Sequence, residues 1–243
     1  MKKLLLLMLS MSLLTSCGDG SKSKRIVSAS SGNINNLQVI IDSDLWLSRI
    51  GDELREVFSA EVIGLPQQEP LFSMRQMPPI VFTGFATKNR TILKIEKDKP
   101  ADTKFFKDVY ATPQSVVVIS GNSAKEIIAE INEHSERIIS TFKETELKEK
   151  QRRMAKSLLK DNSIKETLSI SIKPTSAYRI AKQEDNFFWL RRDIKNGDVN
   201  LMIYEMPLDA VSDGENAIND IIKMRDSIGK THIPGPIEGS YMI

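Results

Sequence analysis

The run Leu37 to Ile41 is rich in β-branched side chains, and directly after it apolar residues recur at helical spacing through Trp46, Ile50, Leu54 and Val57. This pattern predicts a strand leading into a helix, with Ser43 as the helix N-cap. Leu65-Pro66-Gln67-Gln68-Glu69-Pro70 breaks the pattern with two prolines, and strands are expected near Leu71–Gln76 and Thr91–Lys97, separated by Pro78 and Pro79. Ser115 to Ile119 reads as a strand buried on both faces. Ser123 and Glu126 then form a capping box, and Ile127, Ile131, His134, Ile138 and Phe142 mark one face of a long helix. The highly charged stretch Lys143–Arg153 either continues that helix in solvent or breaks the chain into two units.

After Lys160 the pattern changes to strands: Thr167–Lys173, Phe187–Ile194 and Val199–Met206, the last two joined as a hairpin across Asn196-Gly197. Ser212 and Glu215 make a second capping box for a helix through Ile218, Ile221 and Ile222, with Gly229 as its terminator. The expectation is an α+β protein of two units, 37–160 and 161–243. Each is a small antiparallel sheet covered by helices, and a ferredoxin-like plan fits both. No residue-level repeat relates the halves.

The amino terminus follows a different logic. Lys2 and Lys3 precede an apolar stretch, Leu4 to Leu14, and small polar residues lead from it to Cys17, the sole cysteine. As a helix that stretch would span about 16 Å, roughly half the ~30 Å hydrocarbon core, so residues 1–16 read as a cleaved signal peptide and not as a permanent span. Leu14-Thr15-Ser16-Cys17 resembles a bacterial lipobox. That resemblance implies diacylglycerol on the Cys17 thiol, cleavage before it and acylation of the freed amine, palmitate being a typical chain. Each buried methylene contributes ~0.8 kcal/mol, so two or three acyl chains anchor firmly where one would not.

Residues 17–36, rich in Ser, Gly, Lys and Asn after the cysteine, then read as a lipidated flexible tether. No acidic run follows Cys17, and this leans towards the periplasmic face of the outer membrane over the cell surface. The full chain holds 34 basic and 32 acidic side chains; the leader carries two lysines and no acids, so the mature charges balance. A balanced domain gives no reason to expect a nucleic acid partner. The mature domain also has no thiol for a disulfide or a nucleophile beyond Cys17 itself.

Chemical motifs are weak throughout. Gly121-Asn122-Ser123-Ala124-Lys125 sits where a nucleophile elbow would, but Lys125 replaces the final glycine and Ser123 is already explained as a cap. Ser21/Lys24, Ser140/Lys143, Ser157/Lys160 and Ser227/Lys230 all have the serine–lysine spacing of β-lactamase-like enzymes, and four hits without companion motifs mark the pattern as unspecific. Gly229-Lys230-Thr231 lacks the upstream glycine of a phosphate-binding loop, since Met224 stands there. Glu130 and His134 offer two ligands without a third, so no metal or other cofactor is expected.

Two polar loops remain: Leu65–Pro70, containing Glu69, and Pro234–Tyr241, containing Glu238. Phe187, Phe188 and Trp189, followed by Arg191 and Arg192, could form a glycan-stacking strand, with packing of the aromatic face in a core as the commoner arrangement. Three segments, Leu65–Pro70, Phe188-Trp189-Leu190-Arg191-Arg192 and Ile233–Met242, resemble an uncharacterised family of Bacteroidetes envelope lipoproteins grouped as a domain of unknown function. The resemblance spans most of 37–243, implies the lipid anchor at Cys17 and carries no activity. Family members run beyond the equivalent of Tyr241, so a C-terminally truncated fragment is expected.

The function these readings support is a non-enzymatic envelope lipoprotein that binds an envelope protein or glycan. Glu69, Trp189, Arg191 and Tyr241 are its expected binding surface. The alternative is a cell-wall or glycan hydrolase using carboxylates such as Glu69 and Glu238.

Overall fold

The computed structural model describes residues 27–65 and 67–241. The signal segment, Cys17, the first part of the tether, Pro66 and Met242 lie outside them.

The chain begins with a two-residue strand, β1 (Ser28–Ala29), followed by β2 (Asn36–Ile40), a single turn α1 (Ser43–Trp46), and α2 (Arg49–Phe58). The single helix expected from Ser43 is therefore two. Its break at Leu47-Ser48 lets Ser48 cap α2 through Ile50 N–H, and it folds the Trp46 carbonyl against Gly51. A Cβ at position 51 would lie 1.8 Å from that oxygen, so only glycine fits.

Next come β3 (Ser73–Met77), two 3-10 turns over Pro79–Val81 and Gly84–Lys88, β4 (Thr91–Lys97), β5 (Asp102–Lys107), the short β6 (Ala111–Thr112), β7 (Ser115–Gly121) and the long helix α3 (Ala124–Met154). Five of these strands form one sheet in the order β3-β2-β4-β7-β5. The first four are parallel and only β5 runs antiparallel, against β7. This corrects the antiparallel expectation. Helical crossovers, α1–α2 between β2 and β3 and the loops before β4, return the chain to the same sheet end, which hairpins cannot do.

Alternation divides this sheet. Leu37, Val39, Leu93, Ile95, Val117 and Ile119 face α2 and α3, where they meet Ile50, Leu54, Phe58, Ile127, Ile131, Ile138 and Phe142 in the main core. Ile40, Ile92 and Val116 point the other way, packed with Met77 of β3 and under Phe82 and Val109 from the covering loops. Ser123 caps α3 as expected, its Oγ accepting from Glu126 N–H, while Glu126 reaches past the cap to Asn122 N–H at 2.9 Å.

The stretch Lys143–Arg153 continues α3, but it is not simply a solvated face. Glu146 and Glu149 are buried there because Arg90, 2% exposed, sits opposite. Its Nε and Nη2 donate to the two Glu146 oxygens at 2.9 and 3.0 Å, and Nη2 also reaches the carbonyls of Gly32 and Asn33. Asn35 N–H donates to Glu146 Oε2, and Glu149 accepts from Arg152 and Arg153. These bonds fasten the amino-terminal segment to the far half of α3.

Beyond α3 the chain forms α4 (Ser163–Leu168), β8 (Arg179–Glu184), β9 (Phe187–Ile194), β10 (Gly197–Tyr204) and α5 (Ala217–His232). The strand expected at Thr167–Lys173 is absent. Asp161 accepts from Ser163 N–H and starts a helix, and Ser169, at φ 56°, ends it. Strands β8, β9 and β10 make an antiparallel meander, so the second sheet has the expected sense. Among the described residues the sheets have five, three and, for β1 with β6, two strands, so none is a four-stranded ferredoxin-like one; the class is mixed α+β. The Ser212–Glu215 box does not form: Ser212 bonds to Asp220, and α5 begins at Ala217 and runs through Gly229 to His232.

Candidate functional site

The meander gives each strand two faces, and the register says which side chains share them. Phe188 pairs with Ile203 and Leu190 with Leu201. Phe188 and Leu190 are fully buried against Ile164 and Leu168 of α4, with Leu159, Tyr178 and Ile180 around them. On the opposite face Phe187 pairs with Tyr204, Trp189 with Met202 and Arg191 with Asn200, while Glu184 and Lys182 of β8 lie across from Phe187 and Trp189. The expected aromatic strand is thus split. Phe188 belongs to the core, and Arg192, on its side of the sheet, lies 5.2 Å over the Tyr178 ring.

The second face is covered by the end of α5 and the segment after it. The His232 ring stacks on Phe187 with centroids 4.1 Å apart and planes at 16°, and its Nδ1 lies 2.6 Å from Glu184 Oε2. Lys182 pairs with the other Glu184 oxygen at 3.0 Å. Lys182 first and His232 second hold the Glu184 carboxyl below its ordinary value. Past His232 the chain closes on itself: Pro234 bridges to Tyr241, Gly235 N–H donates to Ser240 O at 2.7 Å, and Ser240 Oγ donates to Ile237 O at 2.6 Å. Gly235 lets the two segments close: a Cβ there would lie 2.2 Å from Ser240 Oγ and push that hydroxyl out of its place in the turn.

Between this loop and the sheet lies a groove of about 360 Å³ lined by Trp189, Arg191, Asp198, Asn200, Ile233–Pro236, Ser240 and Tyr241. Its polar groups are fixed in place. Trp189 Nε1–H donates to Asn200 Oδ1 at 2.8 Å, and Arg191 is held by Asp198 at 2.7 Å and Asp193 at 3.1 Å. Asp198 foremost, and then Asp193, raise the Arg191 pKa above its ordinary value. Lys230 lies 5.7 Å over the Tyr241 ring. Two amphipathic aromatic rings beside an amide, a carboxylate and a neutralised guanidinium suit a polar ligand with an apolar face. Ser240 Oγ is taken up in the closing turn by its bond to Ile237 O, and His232 Nδ1 is paired with Glu184.

Of the four expected surface residues, Trp189, Arg191 and Tyr241 come together in this groove. Glu69 does not. It is exposed in its own loop, where its carbonyl accepts Val62 N–H, and neither it nor Glu238 contributes to the groove lining. The Glu69 loop instead meets α5 through Gly64 O, which accepts from Arg225 at 3.1 Å. Asp198, Asn200 and the Phe187–His232 stack were not singled out by sequence; hairpin register is the signal that places the first two, and the stack depends on how the end of α5 meets the sheet.

The other motifs resolve structurally. Lys143 Nζ donates to Leu71 O at 2.6 Å and lies 4.5 Å over the Phe72 ring, away from any partnership with Ser140, and burial pushes its pKa down. Ser157 Oγ shares a hydrogen bond with Ser176 Oγ. Glu130 Oε2 accepts from Thr103 on β5 at 2.7 Å and lies 3.5 Å from His134 Nε2, with the exposed Glu133 nearby as a third donor.

Residues 157–243, which hold the groove, match the family described as Domain of unknown function (DUF4837). No curated protein and no solved structure matches the chain. Residues 30–155, the five-stranded sheet with α3, match the family described as Domain of unknown function (DUF8532), and the chain belongs to that family.

Proposed function

We propose that the chain is a lipoprotein of the bacterial cell envelope, acylated at Cys17, held at the outer membrane facing the periplasm, whose Trp189–Arg191–Tyr241 groove binds an envelope glycan. The Bacteroidetes lipoprotein resemblance supports the address. In this reading residues 17–36 are the tether, 37–160 the scaffold unit and 161–243 the binding unit. No helix among the described residues is long and apolar enough to cross a membrane, and attachment rests on the acyl chains.

One observation carries the binding reading: Trp189 and Arg191 on one strand and Tyr241, 50 residues further on, line a single groove whose donors and acceptors are already oriented. Aromatic faces stack on the C–H faces of sugar rings, while Asn200 and Asp198 can bond their hydroxyls. The volume lies near the lower end of the ~300–1,000 Å³ range for small ligands, enough for one or two sugar residues.

The test is titration of the full chain with soluble peptidoglycan fragments, followed by tryptophan fluorescence and calorimetry. Saturable binding is expected, weakened about tenfold or more by Trp189→Ala and by Tyr241→Ala, with Phe85→Ser, far away in sequence and outside the groove, unaffected. Native chain that shows no saturable signal, or Trp189→Ala that binds as well as native, refutes the reading. Intact mass at Cys17 tests the anchor separately.

A further inference from the structure

From Met77 to Thr87 the chain carries no charged side chain, and this segment forms the two 3-10 turns on the second face of the large sheet. Its apolar side chains are not tucked in: Ile80 is 88% exposed, Phe85 75% and Val81 54%. The loop is nevertheless firmly built. Phe82 turns inward and meets Tyr110 edge-on at 5.6 Å, the buried Gln114 donates to Thr87 O at 2.7 Å, and Thr87 Oγ1 and Asn89 Nδ2 close the second turn on Gly84 and Ala86 carbonyls. Phe106 and Tyr110, themselves 43% and 38% exposed, stand beside Phe82 and extend the apolar surface. A rigid loop that presents three large apolar side chains to water marks a contact surface.

The route of the amino-terminal segment indicates what covers it. Ser31 N–H donates to Lys88 O at 2.8 Å, Ser30 N–H to Thr112 O at 3.0 Å, and Ser28–Ala29 pair with Ala111–Thr112. The segment arriving from Cys17 is therefore bonded at the base of the apolar loop and beside Tyr110. Nine residues separate Cys17 from Val27, so their Cα atoms can be at most about 36 Å apart. Acyl chains at Cys17 thus bring the base of this loop within about 36 Å of the bilayer, at high effective concentration. Arg75 and Lys88 bracket the uncharged run and Lys107 follows Phe106, which suits anionic and zwitterionic headgroups around an apolar tip.

We infer that the Ile80–Phe85 loop is a membrane-docking surface that inserts Ile80, Val81 and Phe85 into the headgroup–acyl boundary and fixes the orientation of the domain on the bilayer. This rests on the lipid-anchor reading of Cys17. In place of a body swinging freely on its tether, the large sheet sits with its loop-covered face to the membrane.

The test uses the full lipoprotein reconstituted into phosphatidylethanolamine vesicles with a minority of phosphatidylglycerol and acyl-brominated lipid. Phe85→Trp and, as a second probe, Ile80→Trp each add an indole at an exposed position. Ile63→Trp, 76% exposed in a different loop, is the control. The added emission of the two loop probes is expected to be strongly quenched by brominated lipid and that of the control to be unchanged. Equal emission from all three overturns the inference. A dimer mass with the loop probes shielded but unquenched also overturns it, and gives the surface to a second copy of the chain. An unacylated Cys17 by mass overturns the anchor reading alone, because the vesicles are supplied to the chain either way and quenching is still read.

Discussion

The buried Arg90–Glu146 pair offers the most direct test of how the amino-terminal segment is held. Both side chains are essentially inaccessible, at 1% and 2%, and two near-parallel bonds join them. Arg90 Nη1 is 4.0 Å from Glu149 Oε1 and has no hydrogen-bond partner among the described residues. Replacing Glu146 by Leu leaves a buried guanidinium with two carbonyls and a carboxylate already bonded to Arg152 and Arg153. Replacing Arg90 by Met leaves the Glu146 carboxylate with the Asn35 N–H alone. Each single change should cost about 3–5 kcal/mol, the usual loss when one member of a buried pair is removed. Independent effects would sum to roughly 6–10 kcal/mol in the double variant, enough to unfold most domains of this size. The double variant, however, removes both charges together and orphans only the neutral Asn33 carbonyl and Asn35 N–H, since Gly32 O keeps its bond from Arg153. Its loss of stability should therefore be at least ~2 kcal/mol smaller than that sum. Urea unfolding of the four chains at constant m gives the cycle, and amide exchange at Asn35 should rise in both single variants. A coupling below about 0.5 kcal/mol would show that the two groups act independently, and the account of this pair would fail.

Two further outcomes follow from other parts of the fold. Gly51→Ala puts a methyl 1.8 Å from the Trp46 carbonyl, and since backbone stands there and not a flexible side chain, a loss of about 2–3 kcal/mol in urea midpoint stability is expected; native-like stability would mean the α1–α2 break is not needed. Arg152 foremost, and Arg153, hold the Glu149 carboxyl down from 4.5 to about 2 in the folded state. Its contribution should therefore be complete above about pH 4.5 and lost as pH falls towards about 2, and Arg152→Gln should move the acid limb of the stability–pH curve upward; an unmoved limb refutes the assignment.

How much of this could be read from the chain depended on whether a feature has a local cause. β7 was legible because Val116–Ile119 is a continuous apolar run, and β4 because Ile92, Leu93 and Ile95 are β-branched or apolar between turn residues; both are central strands. The burial of the β7 run on both faces points to a parallel sheet, a consequence the expectation of antiparallel units did not draw. Thr167–Lys173 alternates Leu168, Ile170 and Ile172 and so looks like a strand. In the fold Leu168 instead teams with Ile164 one helical turn away, and Ile170 and Ile172 stay 44% and 40% exposed. β8 escaped notice because it is mostly polar, with Ile180 as its one large apolar side chain and a bulge beside it. The charged run at Lys143–Arg153 read as solvated because the partner that buries Glu146, Arg90, stands 56 residues earlier.

The groove illustrates the same limit at closer range. Trp189, Arg191 and Tyr241 were recognisable singly, from aromatic character and from a proline- and glycine-rich terminal segment. Their neighbours depended on the turn. A loop at Asn196-Gly197 would set Met202 across from Arg191, whereas the actual loop is Lys195-Asn196 and Gly197 pairs with Ile194. That slip of two residues leaves every side chain on its expected face, because the strand period is two, yet it changes each cross-strand partner. Asn200 thereby comes opposite Arg191 and within 2.8 Å of the Trp189 N–H, and Asp198 reaches the Arg191 guanidinium. The face that bears the groove was thus fixed by pattern, and its polar content by one turn. Replacing the two polar partners directly, with Asp198→Ala and Asn200→Leu, should keep the aromatic wall and lose the contacts to the Arg191 guanidinium and the Trp189 N–H. If glycan affinity survived that change, recognition would have to come from stacking alone.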